Sequence, residues 1–182
     1  MCNVFWIGDK KSIYSPSGGF VAFEIELKSR EIYPNYPAPI FKTMGDEIDV
    51  LTWGLPPPPK ITRPITNIRN LDSWFWRGIL DAPENRCLVP VSRFAEWYGA
   101  RGQMQKAWFG LIDNDAMFAG IWRENRFAFL TTEPNELIKP IHPKSMPVIL
   151  KPKNYETWLG GNYETAIRLQ RSYDANLMQV FN

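Results

Sequence analysis

The sequence of 182 residues predicts one α+β domain, spanning residues 1–182, with a β-rich core and a few short helices. Three observations lead there: apolar or alternating runs of strand length recur along the chain, proline and glycine punctuate it throughout, and helix signals are few and short. Six runs read as strands: 20–27, 86–91, 107–112, 116–122, 127–131 and 147–150. Asp113-Asn114-Asp115 has the composition of a hairpin turn, and Glu124-Asn125-Arg126 of another, so the four central runs predict a β-meander. Residues 72–80 read as a short helix capped by Asp72. Residues 154–159 and 163–171 read as two more, divided by Gly160-Gly161. Proline fixes φ and disfavours helix just before it, so residues 33–39 are extended or turned. Pro56 to Pro59 forms a rigid, polyproline-like loop. No internal repeat, linker or low-complexity tail interrupts the domain.

Composition narrows the function classes. A hydrophobic content of 45% suits one real core. The 21 Lys plus Arg against 19 Asp plus Glu leave a net charge of +2, too small to predict a nucleic-acid partner. A DNA-binding surface would need its basic residues gathered on one face. No apolar run approaches membrane-spanning length, and MCNVFWIGDKK lacks the plan of a signal peptide. A cytoplasmic protein without a membrane partner is therefore expected. Two cysteines and one histidine make neither a disulfide framework nor a zinc set, so we expect no metal and no cofactor. The 8 Trp, 7 Tyr and 11 Phe either fill the core or build a stacking platform, and composition does not separate the two.

Five residues stand out for chemistry. Removal of Met1, favoured by a small second side chain, would leave Cys2 with an α-amine and a thiol on adjacent carbons. Reference pKa values of about 7.7–8.0 and 8.5 make both nucleophilic forms available near neutral pH. An aldehyde meeting this group forms a Schiff base, and the thiol then closes a five-membered thiazolidine. The plain alternative is an incidental second-position cysteine. His142, the single histidine, precedes Pro143 in a loop feeding a strand, where an imidazole can act as general acid or base, though a lone histidine is more often structural. Glu96, between Ala95 and Trp97, is either solvated or held in an apolar pocket that raises its pKa to a useful value. Asn67 and Arg69 share one face if extended and suit a sugar and a phosphate. Cys87 sits in a strand-like run and reads as an inert core residue.

Taken in order, these pieces resemble the SOS-response-associated peptidase (SRAP) family over nearly the whole chain. The resemblance runs through Met1-Cys2, Ala38-Pro39, Trp53-Gly54-Leu55 with the prolines behind it, Asn67-x-Arg69, and Arg86-Cys87-Leu88-Val89-Pro90. It continues through Phe94-Ala95-Glu96-Trp97, Ala119-Gly120-Ile121-Trp122, Thr131-Thr132 with Asn135, and Ile141-His142 leading to Met146-Pro147-Val148-Ile149-Leu150. It implies a barrel-like mixed sheet around a positively charged cleft, and a monomer, associated with the nucleoid, that binds single-stranded DNA and crosslinks abasic sites. On matching positions Cys2 is the crosslinking residue, Glu96 and His142 transfer protons, and Asn67 orients the sugar or the N-terminus. Arg69 and Arg77 match phosphate contacts, Trp53 matches a DNA-facing aromatic wall, and Lys144 stands in for a family arginine. Asn3-Val4 replaces the usual Gly-Arg, the His142 motif is one residue longer, and Ala95 replaces an aromatic. The rival expectations are an autopeptidase of the N-terminal-nucleophile kind and a non-catalytic single-stranded DNA-binding module. Lyase side activity is compatible with the crosslinking reading.

Overall fold

A computed structural model describes residues 2–8, 12–23, 31–59, 61–100, 102–113 and 115–181. Among these, two main sheets carry the architecture. The smaller has five strands, all antiparallel, in the order Met178–Phe181, Gln105–Leu111, Arg93–Tyr98, Val4–Trp6 and Glu31–Ile32. The larger is mixed. Its spine runs Ile149–Leu150, Met117–Arg123, Arg126–Thr132, Asp49–Trp53 and Pro37–Ile40, with Arg86–Pro90 on Met117–Arg123. Ser12–Tyr14 and Phe20–Ala22 form a separate hairpin.

The sheets pack face to face through aromatic rings. Phe5 of the smaller sheet lies 5.1 Å from Trp53, 6.1 Å from Phe118 and 6.0 Å from Phe129, centroid to centroid. Phe94 lies 5.8 Å from Phe118 across the same interface. These edge-to-face contacts seat the first strand, and with it Cys2, in the middle of the molecule. The Arg86–Pro90 strand is buried at all five positions, which is why it reads as a continuous apolar run rather than an alternating one. Its Arg86 is wholly buried and forms no ion pair within 4 Å of a carboxylate among the described residues. The guanidinium instead donates to the carbonyls of Leu80, Trp158 and Gly161, satisfying the ends of two helices.

Arg126–Thr132 organises the site. It pairs in parallel first with Asp49–Trp53 and then, further along, with Asn67–Ile68, in register Phe129 to Asn67. Its end pairs with Met146–Pro147. One strand thus fixes both the backbone of Asn67 and the exit of the loop carrying His142.

Several expectations are corrected. Only one hairpin of the expected meander forms, Met117–Arg123 with Arg126–Thr132 through the turn at 124–126; Gln105–Leu111 pairs with Arg93–Tyr98 and Met178–Phe181 and not with Met117–Arg123. The 113–115 segment crosses between sheets, since turn composition marks a change of direction but not which sheet receives the chain. Asn114 lies outside the described residues, as do residues 24–27 of the first predicted strand. The fold class stands as expected: the outer strands of the larger mixed sheet, Pro37–Ile40 and Arg86–Pro90, approach each other through Phe41 and Leu88, whose backbones exchange hydrogen bonds at 2.9 and 2.8 Å, which gives the sheet its barrel-like curl. The first helix is Trp74–Leu80, capped by Ser73, whose Oγ accepts from the Trp76 amide; Asp72 instead accepts from the Tyr163 hydroxyl. The other helices are Tyr155–Gly160 and Tyr163–Ile167, the latter capped by Asn162. No helix among the described residues is long and apolar enough to cross a membrane.

Candidate active site

The register of two strands places Cys2 beside the carboxylate. Val4 pairs with Ala95 and Phe5 with Phe94, so Cys2 and Asn3 run beside Glu96. Alternation along Arg93–Tyr98 turns Glu96 inward, 1% exposed, and Trp97 outward. The Ala95 site lies under Val4 with both residues buried, so the small side chains at these two departures from the family pattern fit each other.

Cys2 is buried, and its thiol donates to the Val4 carbonyl at 3.3 Å. Desolvation, reinforced by the nearby Glu96, pushes this thiol well above its ordinary range. Asn67 holds the Cys2 backbone: its Nδ2 donates to the Cys2 carbonyl at 2.9 Å and to Thr66 Oγ1 at 2.8 Å. Its Oδ1 is buried and accepts no hydrogen bond among the described residues. His142 Nδ1 stands 3.6 Å from Glu96 Oε2, with the imidazole 14% exposed. The turn leading to His142 is built by Asn135, which accepts from the Ile138 amide and donates to the Tyr173 carbonyl; the His142 amide closes on Ile138.

Burial decides the protonation of the pair. Desolvation lifts Glu96 to about 7 and lowers His142 to about 4, reversing the ordinary order of a carboxylic acid and an imidazole. Lys144 adds to the depression of His142. Between those values the site holds a neutral carboxylic acid beside a neutral imidazole, a proton donor next to a proton acceptor.

The structure therefore brings Cys2, Asn67, Glu96 and His142 together. Of the expected phosphate contacts, Arg69 and Arg77 make their own contacts outside this cluster. Arg69, two residues beyond Asn67, forms an exposed ion pair with Glu133. Arg77 is exposed on the first helix, its guanidinium 4.9 Å from the Tyr163 ring centroid. Lys144 is exposed beside His142. Trp53 is a correction: it is 0% exposed, stacked on Phe129 at 5.1 Å, with its indole donating to the Thr66 carbonyl. It props the strand of Asn67 from the core and has no face for DNA. Sequence reasoning missed Gln170, which donates to the carbonyls of Arg69 and Thr131 at 2.7 and 2.8 Å. A partner 101 residues away leaves no local signal.

Residues 22–182 match the model of the SOS response associated peptidase (SRAP) family. The chain belongs to the SRAP family. Asn67, Glu96 and His142 lie within the matched span, and Cys2 lies ahead of it. Among SRAP relatives, the chain is 29% identical over 159 residues to the abasic site processing protein YoaM of Bacillus subtilis, covering 75% of this chain and 68% of that one. It is 28% identical over 157 residues to the abasic site processing protein YoqW of Bacillus phage SPbeta, covering 75% and 69%. A solved structure from Bordetella bronchiseptica superposes with a TM-score of 0.79 at 17% identity over 98% of both chains. One from Bacteroides thetaiotaomicron gives 0.68 at 20% identity over 84% of this chain and 76% of that one. These likenesses carry the fold.

Proposed function

We propose that this SRAP protein processes abasic sites in single-stranded DNA by capturing their aldehyde on Cys2 as a thiazolidine. The observation that carries the reading is the convergence of Cys2, Asn67, Glu96 and His142 from four separate segments into one contact set. The names of the relatives supply the substrate class.

The chemistry follows from the protonation states. An abasic sugar is mostly a closed hemiacetal. Neutral Glu96 donates its proton to the ring oxygen while neutral His142 accepts the hydroxyl proton, and the ring opens to the aldehyde. With Met1 removed, the Cys2 amine attacks the aldehyde carbon, and loss of one water gives the Schiff base. The thiol adds across the C=N bond, its sulfur to carbon and its proton to nitrogen, without any oxidant or metal. Asn67 holds the Cys2 carbonyl, and its buried Oδ1 can accept a hydrogen bond from the freed amine. Arg69, Arg77 and Lys144 supply the positive charge that net composition lacks.

An autopeptidase would use the same Cys2 sulfur on a peptide carbonyl, so the raised thiol bears on both readings alike and the substrate decides between them. A single-turnover assay on abasic single-stranded DNA separates the readings. A crosslinker forms one stable adduct per chain, a peptidase turns over peptides, and a plain binding module leaves no adduct.

A further inference from the structure

The first helix carries an apolar surface that the Cys2 site does not use. Trp74 is 86% exposed, and Phe75, its ring 5.9 Å from Trp74, is also exposed. Together with Gly78, Ile79, Asn85 and Arg123 they line a groove of about 440 Å³, within the size range of small-ligand clefts. Gly78 lies four residues after Trp74 and so on the same helix face. A Cβ placed there would meet nothing within 4 Å, leaving open space beside the indole. A glycine costs about 1 kcal/mol in a helix relative to alanine, and an exposed tryptophan forgoes burial. A folding role accounts for neither.

We propose that Trp74 is a stacking platform for a base of single-stranded DNA flanking the lesion. Two features select this occupant over an apolar partner. The groove lining holds one charge, Arg123, and no acid; Arg123 is exposed and pairs with no carboxylate among the described residues. Arg77 lies three residues after Trp74, one helical turn along, where it can hold a phosphate while the ring meets the attached base. The chain length between the two places also limits their separation. Trp74 follows Asn67 by seven residues, at most about 25 Å of chain. This inference rests on the reading of the Cys2 site as one that takes single-stranded DNA. It replaces the aromatic wall that buried Trp53 does not provide.

The test is equilibrium binding of the parent, Trp74→Ala and Trp74→Phe proteins to two oligonucleotides of equal length. One is thymidine throughout; the other is a base-free strand of tetrahydrofuran spacers. The parent should prefer the thymidine strand. Trp74→Ala should weaken binding to it by about 5- to 100-fold, the range for loss of one stacked base, and should erase most of the preference. Trp74→Phe should recover most of it. Equal affinity of parent and Trp74→Ala for the thymidine strand would overturn the proposal, and so would an equal loss on both strands. Sedimentation of the parent and Trp74→Ala without DNA provides the remaining arm: a dimer dissolved by the substitution, with DNA affinity kept, would assign the surface to a second copy instead. Adduct formation by the parent on an abasic strand is scored separately, so failure of the Cys2 reading and failure of the stacking proposal give different patterns.

Discussion

Replacing Glu96 with glutamine removes an ionisable group from a 1%-exposed site while keeping its shape. The consequence is legible in stability against pH. Glu96 titrates in the folded protein near 7, above its ordinary 4.5. Its stabilising contribution is therefore fully present below about 4.5 and lost as pH rises through 7. His142 titrates near 4, below its ordinary 6.5, so its contribution is present above about 6.5 and lost as pH falls through 4. At about 1.36 kcal/mol per pK unit, Glu96 costs the folded state roughly 2 to 3 kcal/mol on going from pH 5 to pH 8, and His142 returns roughly 2 kcal/mol over the same interval. The parent should thus be nearly level between these pH values. Glu96→Gln should gain roughly 2 kcal/mol from pH 5 to pH 8, because only the His142 term remains. Urea unfolding at the two pH values, read as midpoint at constant m, measures the difference. Parallel behaviour of parent and variant would refute the assignment of a neutral, buried Glu96, and with it the proton donor of the proposed mechanism.

The same protonation scheme predicts that crosslinking of abasic DNA slows above about pH 7 as Glu96 ionises, whereas reaction with a simple open-chain aldehyde keeps rising toward the amine pKa near 8; rapid-quench time courses across pH compare the two. Glu96→Gln and His142→Ala should each slow the abasic reaction on the order of 100-fold, with a smaller defect on the open-chain aldehyde in the same assay. Asn67→Ala frees the Cys2 carbonyl and should slow both aldehydes alike, because it acts on the N-terminus rather than on the sugar. Arg69→Ala and Arg77→Ala should each flatten the log–log salt dependence of single-strand binding by roughly 0.7, whereas Glu133→Gln, by releasing Arg69 from its ion pair, should tighten binding; salt titrations by fluorescence anisotropy read all three. Trp53→Ala should destabilise the fold by about 3–5 kcal/mol in urea unfolding, the range for truncating a buried large aromatic.

The chemistry of the site was more legible in the sequence than the topology that assembles it. Cys2 and His142 are open to inspection because cysteine and histidine are rare in this chain, and Glu96 because it stands among the aromatic residues Phe94, Trp97 and Tyr98. The strands of the central region were located within a residue or two at most ends, since their apolar runs are buried on both faces. Their pairing was not legible. Nothing local in Gln105–Leu111 says that it joins the sheet of Val4–Trp6 rather than the neighbouring Met117–Arg123, because that choice is made by ring packing between Phe94, Phe109 and Phe118 across the two layers. Val4–Trp6 itself escaped notice as three residues too short for a periodic signal, yet it is what carries Cys2 to Glu96. Trp53 misled for a related reason. A tryptophan beside a glycine and prolines looks like a loop residue available to a ligand, and only the stacking on Phe129 reveals it as core.

The central claim is covalent capture on a freed Cys2 amine, and intact mass spectrometry of the protein mixed with an abasic single strand tests it most directly. Protein lacking Met1 should gain the mass of one DNA strand minus one water, in an adduct that survives heating. Cys2→Ser protein and protein that keeps Met1 should bind the strand without gaining that mass. A heat-stable adduct on protein that retains Met1, or none on protein that lacks it, would contradict the account.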